Sequence, residues 1–154
     1  VRRPTDNDPW QALRREVDRS RRHGHPATLL RVPAPGSVTD RRLRRELTHV
    51  SDRLREVLRS VDSVWSQRDG VYALLPETDR DSVESLLARL RRECTGLIPA
   101  EGLGIACFPE DGLTANALRA AVEQPARPAR AGNPIALTHP ASAPSFERMT
   151  EVDR

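Results

Sequence analysis

Residues 63–79, "SVWSQRDGVYALLPETD", hold two short apolar runs, around Val64-Trp65 and from Val71 to Leu75, on either side of a polar turn. β-branched and aromatic residues in runs this short, broken by Gln67-Arg68-Asp69-Gly70, predict a hairpin with strands near 61–66 and 70–75. Asp69-Gly70 suits a tight two-residue turn, because glycine accepts positive φ without a steric cost. Trp65 and Tyr72 fall where cross-strand packing would pair them, and an exposed Trp65 would mark a partner surface. Thr78, with Asp81 three residues on, has the form of a capping box that opens the next helix.

Working outward, the period changes from two to 3.6. Upstream, Leu43, Leu47, Val50, Leu54 and Val57/Leu58 recur at three- and four-residue steps and predict a helix over 39–59, with arginines on its opposite side. Downstream, Val83, Leu86, Leu87 and Leu90 make a second apolar stripe. The stretch "NDPWQALRREVDRSRRHG" carries a helix's start and stop signals: Asp8 as N-cap, Pro9 at the first helical position and Gly24 at the C-terminal turn. "PATLLRV" (26–32) and "EGLGIACF" (101–108) read as strands, "PEDG" as a turn and "LTANALRAAVEQ" as a last short helix. The order is helix, strand, helix, hairpin, helix, strand, helix, which gives an α/β fold with a largely antiparallel central sheet flanked by helices. Residues 1–7 read as a flexible N-terminus, 8–124 as one domain, and the Pro/Ala-rich 125–154, where apolar periodicity fades, as a disordered tail.

Composition excludes several functions. All 25 basic residues are arginine, a bias that suggests a GC-rich genome, and 22 acidic residues interspersed among them leave a net charge of +3. The unmixed basic runs of a nucleic-acid arm are missing, so no nucleic-acid partner is expected. No apolar run approaches the ~18 residues of a membrane span, and nothing resembles a signal peptide. The two cysteines, Cys94 and Cys107, have no metal-ligand spacing, which fits a reduced cytoplasmic protein, with Cys107 a small core residue of its strand. His23 and His25 flank a glycine turn without a carboxylate or cysteine beside them in the sequence, so no metal is assigned there. Ser-His-Asp sets, P-loops and Rossmann glycine runs are not found.

Four segments carry a family resemblance: "LRREVDRSRRHGHPATLL", "LREVLRSVDSV", "ALLPETD" and, most specifically, "GLGIACFPEDG". Together they resemble the GGDEF domain, the bacterial diguanylate cyclase family, over about residues 8–124. The resemblance implies a nucleotide-cyclase-like, palm-type fold and, for an intact member, synthesis of cyclic di-GMP from two GTP molecules on two divalent cations. Counting back from Leu74-Leu75-Pro76 puts Gln67-Arg68-Asp69-Gly70-Val71 where the family has its signature; counting forward from Asp62 shifts the match by one. On the first alignment only Asp69 keeps an acid, while Gln67 and Arg68 replace glycines that let the backbone approach phosphates. Arg31 stands where the family's metal-binding Asp is expected, and the segment after it is shortened to "APGSVTD". An arginine there reverses the sign of the field that two-metal phosphoryl transfer needs. Arg59-Ser60-Val61-Asp62 has the R-x-x-D form of the family's product-binding site, where an Arg fork and a carboxylate read guanine. The resulting expectation is a catalytically inactive cytoplasmic regulatory module with no metal and no cofactor. It either senses cyclic di-GMP through Arg59 and Asp62 or serves as a protein-interaction or dimerisation module without a nucleotide.

Overall fold

A computed structural model of the chain describes residues 8–36, 39–99 and 102–124; the readings of 1–7 as a flexible terminus and of 125–154 as a tail fall outside the described residues. The elements run α1 (Pro9–His23), β1 (Ala27–Pro33), α2 (Asp40–Val57), β2 (Ser63–Gln67), β3 (Gly70–Pro76), α3 (Arg80–Glu93), β4 (Gly104–Phe108) and α4 (Ala115–Glu123), in the order the sequence predicts. One four-stranded sheet, ordered β2-β3-β1-β4, is antiparallel at every pairing. Among the described residues no helix is long and apolar enough to cross a membrane.

Both faces of the sheet are covered, because successive residues of a strand point to opposite sides. Leu30, Val32, Val71, Ala73 and Leu75 pack beneath α2 and α3, against Leu47, Leu54, Val83, Leu87 and Leu90. Leu29, Trp65, Tyr72, Leu74 and Ala106 pack beneath α1 and α4, against Leu13, Val17, Leu118 and Val122. Each fully buried leucine adds about 2 kcal/mol relative to exposure, which is why β1 and β3 read as nearly continuous apolar runs.

Capping holds α1 where the sequence places it. The Asp8 carboxylate accepts from Trp10 N at 3.0 Å, Pro9 opens the helix, and Gly24 closes it with φ 69°. At α3 the expected cap is corrected. Asp79, not Thr78, is the N-cap, and its Oδ1 accepts from Ser82 N at 2.8 Å. Thr78 is instead buried, with its hydroxyl turned toward Arg59 and the Pro76 carbonyl. That capping bond lowers the Asp79 pKa, since the ionised form is the better acceptor.

The hairpin forms with its strands displaced by one or two residues from the expected limits. Its turn is also not the expected one: Gln67 pairs with Gly70, so Arg68 and Asp69 are the central residues, and neither has positive φ. Gly70, at φ 157°, is close to extended; it is required by packing. A Cβ there would strike the Val32 carbonyl of β1.

Candidate functional site

Two Arg–Asp pairs lie at opposite ends of the sheet. At the hairpin end, the register lines up Trp65, Tyr72, Arg31 and Gly104 across all four strands. Arg31 Nη2 donates to the Asp69 carbonyl at 3.0 Å, and its Nε lies 3.4 Å from Asp69 Oδ2. The same Oδ2 accepts the Tyr72 hydroxyl at 2.6 Å. Arg31 is mostly buried, its side chain 17% exposed, whereas the Asp69 side chain is 48% exposed. The Tyr72 pKa is raised well above the ordinary tyrosine value, first by burial and then by the hydrogen bond and negative charge of Asp69, with Arg31 opposing. Trp10 of α1 meets Trp65 and Tyr72 edge-on, at centroid distances of 5.6 and 5.1 Å, and Arg119 of α4 lies 4.2 Å over its ring. Trp65 is buried and stacked on Tyr72, so it packs as the alternation suggests and offers no exposed surface.

At the opposite end, Asp62 folds back under the last turn of the α2 segment. Its Oδ2 accepts Arg59 N at 2.7 Å and its Oδ1 lies 3.2 Å from Arg59 Nη2. That Nη2 also reaches the Pro76 carbonyl at 2.8 Å and Thr78 Oγ1 at 2.9 Å, so two hydrogens are shared among three acceptors. Here the carboxylate is the buried member: the Asp62 side chain is 2% exposed and that of Arg59 54% exposed. Arg59 and Asp62 border an open cleft of about 310 Å³ between β3 and α3, with Ser82, Ser85 and Arg89 on its far wall. Thr28 Oγ1 ties the floor of this end to β1 by donating to the Thr78 carbonyl at 2.7 Å.

The remaining sequence candidates are dispersed. Arg68 reaches back to Asp40 at 3.6 Å, beside a shallow cleft of about 400 Å³ that Gln67 also lines. His23 and His25 are 6.1 Å apart, with His25 Nδ1 3.5 Å from Glu77; among the described residues no group of three His, Cys, Asp or Glu is arranged to hold a metal ion. Cys94 and Cys107 are free and buried, and burial raises both thiol pKa values. Sequence reasoning missed three participants. Tyr72 follows Asp69 by three residues across a tight turn, a spacing that hints at their bond. Thr78 had a competing role as a cap, and Arg89 lies on a different element, with no local signal to join it to Arg59.

No protein-family model matches the chain, and no curated protein sequence matches it. Solved structures do resemble it. A sensory box/GGDEF family protein from Caulobacter crescentus is 19% identical, with 73% of this chain and 86% of that one covered and a TM-score of 0.57. The GGDEF domain of YfiN (TpbB) from Pseudomonas aeruginosa is 18% identical, covering 74% and 81% at a TM-score of 0.55. A DGC protein from Thermotoga maritima is 18% identical, covering 73% and 89% at 0.58. Identity this low speaks for architecture alone, and the architecture is that of a GGDEF domain.

Proposed function

We propose that this chain is a catalytically inactive GGDEF-type regulatory module that senses cyclic di-GMP at the cleft bordered by Arg59 and Asp62. The observation that carries the inactive half is the Arg31–Asp69 pair. Two-metal phosphoryl transfer requires anionic oxygens around each cation to offset the charge that develops on the phosphate. Here the single acid left in the signature turn already serves a guanidinium and a tyrosine hydroxyl. The donor set does not fit a divalent cation, because any cation against Asp69 would also face Arg31. No cofactor is assigned.

The sensor half rests on the exposed Arg59 guanidinium. With Nη2 committed within the chain, the remaining Arg59 N–H groups are the donors offered to guanine O6 or N7, and Arg89, which also donates to the Val57 carbonyl, supplies a second cation for a phosphate across the cleft. Asp62 then acts as the anchor that aims Arg59. Such a module acts in the cytoplasm, where the dinucleotide is made, by passing its ligand state to a protein partner or a second copy. The competing reading is a protein-interaction module with no nucleotide, and one observation favours it: both Asp62 oxygens are engaged within the chain.

Titration calorimetry with cyclic di-GMP, and separately with GTP and Mg²⁺, tests both halves. Cyclic di-GMP is expected to bind, and Arg59→Ala to weaken binding at least about ten-fold, or 1.4 kcal/mol. Absence of heat from the dinucleotide removes the sensor and leaves the interaction module. Turnover of GTP overturns the inactive assignment.

A further inference from the structure

Glu77, which follows β3, is the one non-glycine among the described residues with positive φ, at 53°. A side chain in this left-handed region is disfavoured because its Cβ crowds the following carbonyl, and it persists only where its surroundings hold it there. Three parts of the fold do so. Arg59, just past α2, donates through Nη2 to the Pro76 carbonyl at 2.8 Å and to Thr78 Oγ1 at 2.9 Å. Thr28 of β1 donates to the Thr78 carbonyl at 2.7 Å. Arg19 of α1 donates to Glu77 Oε1 at 3.2 Å, with His25 Nδ1 3.5 Å from the same oxygen. Glu77 and Thr78 both line the Arg59 cleft.

We propose that Glu77 is a positioning residue for Arg59. Its side chain, tied to α1, keeps residues 76–78 in the shape that presents the Pro76 carbonyl and the Thr78 hydroxyl to one guanidinium nitrogen. The left-handed residue between them bends the chain within a single step, and the two acceptors lie 3.1 Å apart. Asp62 anchors Arg59 from the turn that carries both, and residues 76–78 supply the remaining acceptors. The proposal rests on the cyclic di-GMP reading only for what the aimed guanidinium receives; the aiming belongs to the chain alone. Cyclic di-GMP is an anion, so plain electrostatics and positioning predict opposite signs. Removing a carboxylate from the cleft wall lessens repulsion and tightens binding, whereas losing the shape of residues 76–78 frees Arg59 and weakens it.

Two variants separate these effects. Glu77→Ala and Glu77→Gly remove the same charge and the same tie to Arg19, but only glycine takes positive φ without a steric cost. The Glu77 side chain is 52% exposed and outside the core, so both variants keep the fold. Titration calorimetry is expected to show cyclic di-GMP bound about five-fold more weakly by Glu77→Ala, and within about two-fold of the unmodified chain by Glu77→Gly. Nitrogen-15 NMR of the arginine side chains, with Arg59→Lys to identify the signals, reads the positioning without a ligand. Separate Arg59 Nη1 and Nη2 resonances are expected in the unmodified chain and in Glu77→Gly, and averaged ones in Glu77→Ala. Affinity unchanged or raised in Glu77→Ala overturns the proposal. So do Arg59 resonances alike in the two variants, or averaged already in the unmodified chain. If the unmodified chain binds no cyclic di-GMP, the sensor reading fails by itself, and the resonances still decide the role of Glu77.

Discussion

Arg31–Asp69 and Arg59–Asp62 join the same two residue types at opposite ends of one sheet, with their burial inverted. At the hairpin end the guanidinium is enclosed and the carboxylate faces water; at the other end the carboxylate is enclosed and the guanidinium faces water. The difference comes from the chain around them. Arg31 sits mid-sheet between Tyr72 and Gly104, and the absent side chain of Gly104 lets the Val122 backbone of α4 close over the sheet there. Asp62 folds back just past the C-terminal end of α2, where the Arg59 backbone N–H, beyond the C-cap Leu58, donates to its carboxylate. An ion pair of this kind presents to solvent whichever partner the fold leaves outside. The first therefore offers an anion already compromised by its own arginine, and the second offers a cation fit for an anionic ligand.

The largest effect expected from this asymmetry is on stability. Asp62→Ala removes a buried acceptor and strands the Arg59 backbone N–H, which costs about 2 kcal/mol. Asp69→Ala removes a half-exposed carboxylate whose pairing is screened by water, and is expected to cost under about 1 kcal/mol. Urea denaturation of the two variants measures the contrast. Equal losses would mean that burial does not distinguish the two ends.

The elements were legible because their signals are local. Asp8, Pro9 and Gly24 set the limits of α1 within one or two residues of the sequence expectation, and the leucine stripes place α2 and α3. Legibility failed where one residue answered to a distant partner. Thr78 has the spacing of a cap, but Arg59, nineteen residues earlier, pulls it inward and passes the cap to Asp79. Asp69-Gly70 has the chemistry of a primed turn, but Val32 approaches so closely that glycine is needed one position later than the turn itself. The site candidates follow the same division. Arg31, Asp69, Arg59 and Asp62 were all visible in the sequence. The contact between Arg31 and Asp69 was not, because it spans 38 residues, nor was Arg89, which lines the Arg59 cleft from α3.

A smaller effect separates the ends by pH. Tyr72 holds its proton more tightly folded than unfolded, chiefly through burial and then through Asp69. A raised folded pKa contributes stability that is fully present below the unfolded value, about 10, and is lost as pH rises through the folded one. Tyr72 is the one tyrosine in the chain, so Tyr72→Phe isolates this contribution from the similar alkaline sensitivity of Cys94 and Cys107. At pH 7 the tyrosine hydroxyl is worth about 1 kcal/mol over phenylalanine, and that advantage is expected to shrink to about zero by pH 11. An advantage unchanged between the two pH values would mean that folding does not raise the Tyr72 pKa.

The least effect is expected at a third Arg–Asp pair, which serves as the control for the other two. Arg68 and Asp40 are 3.6 Å apart with side chains 88% and 72% exposed, so neither partner is enclosed. Water and salt screen such a pair, and ordering two free side chains offsets much of what attraction remains. Arg68→Ala is therefore expected to change stability by no more than about 0.5 kcal/mol, and raising the salt concentration to erase even that. The comparison becomes sharper if the three pairs rank by their enclosed partner, with Asp62 first, Asp69 next and Arg68 last. If Arg68→Ala instead costs as much as Asp62→Ala, the charges themselves carry the energy, and the inverted burial of the two sheet ends loses its explanatory role.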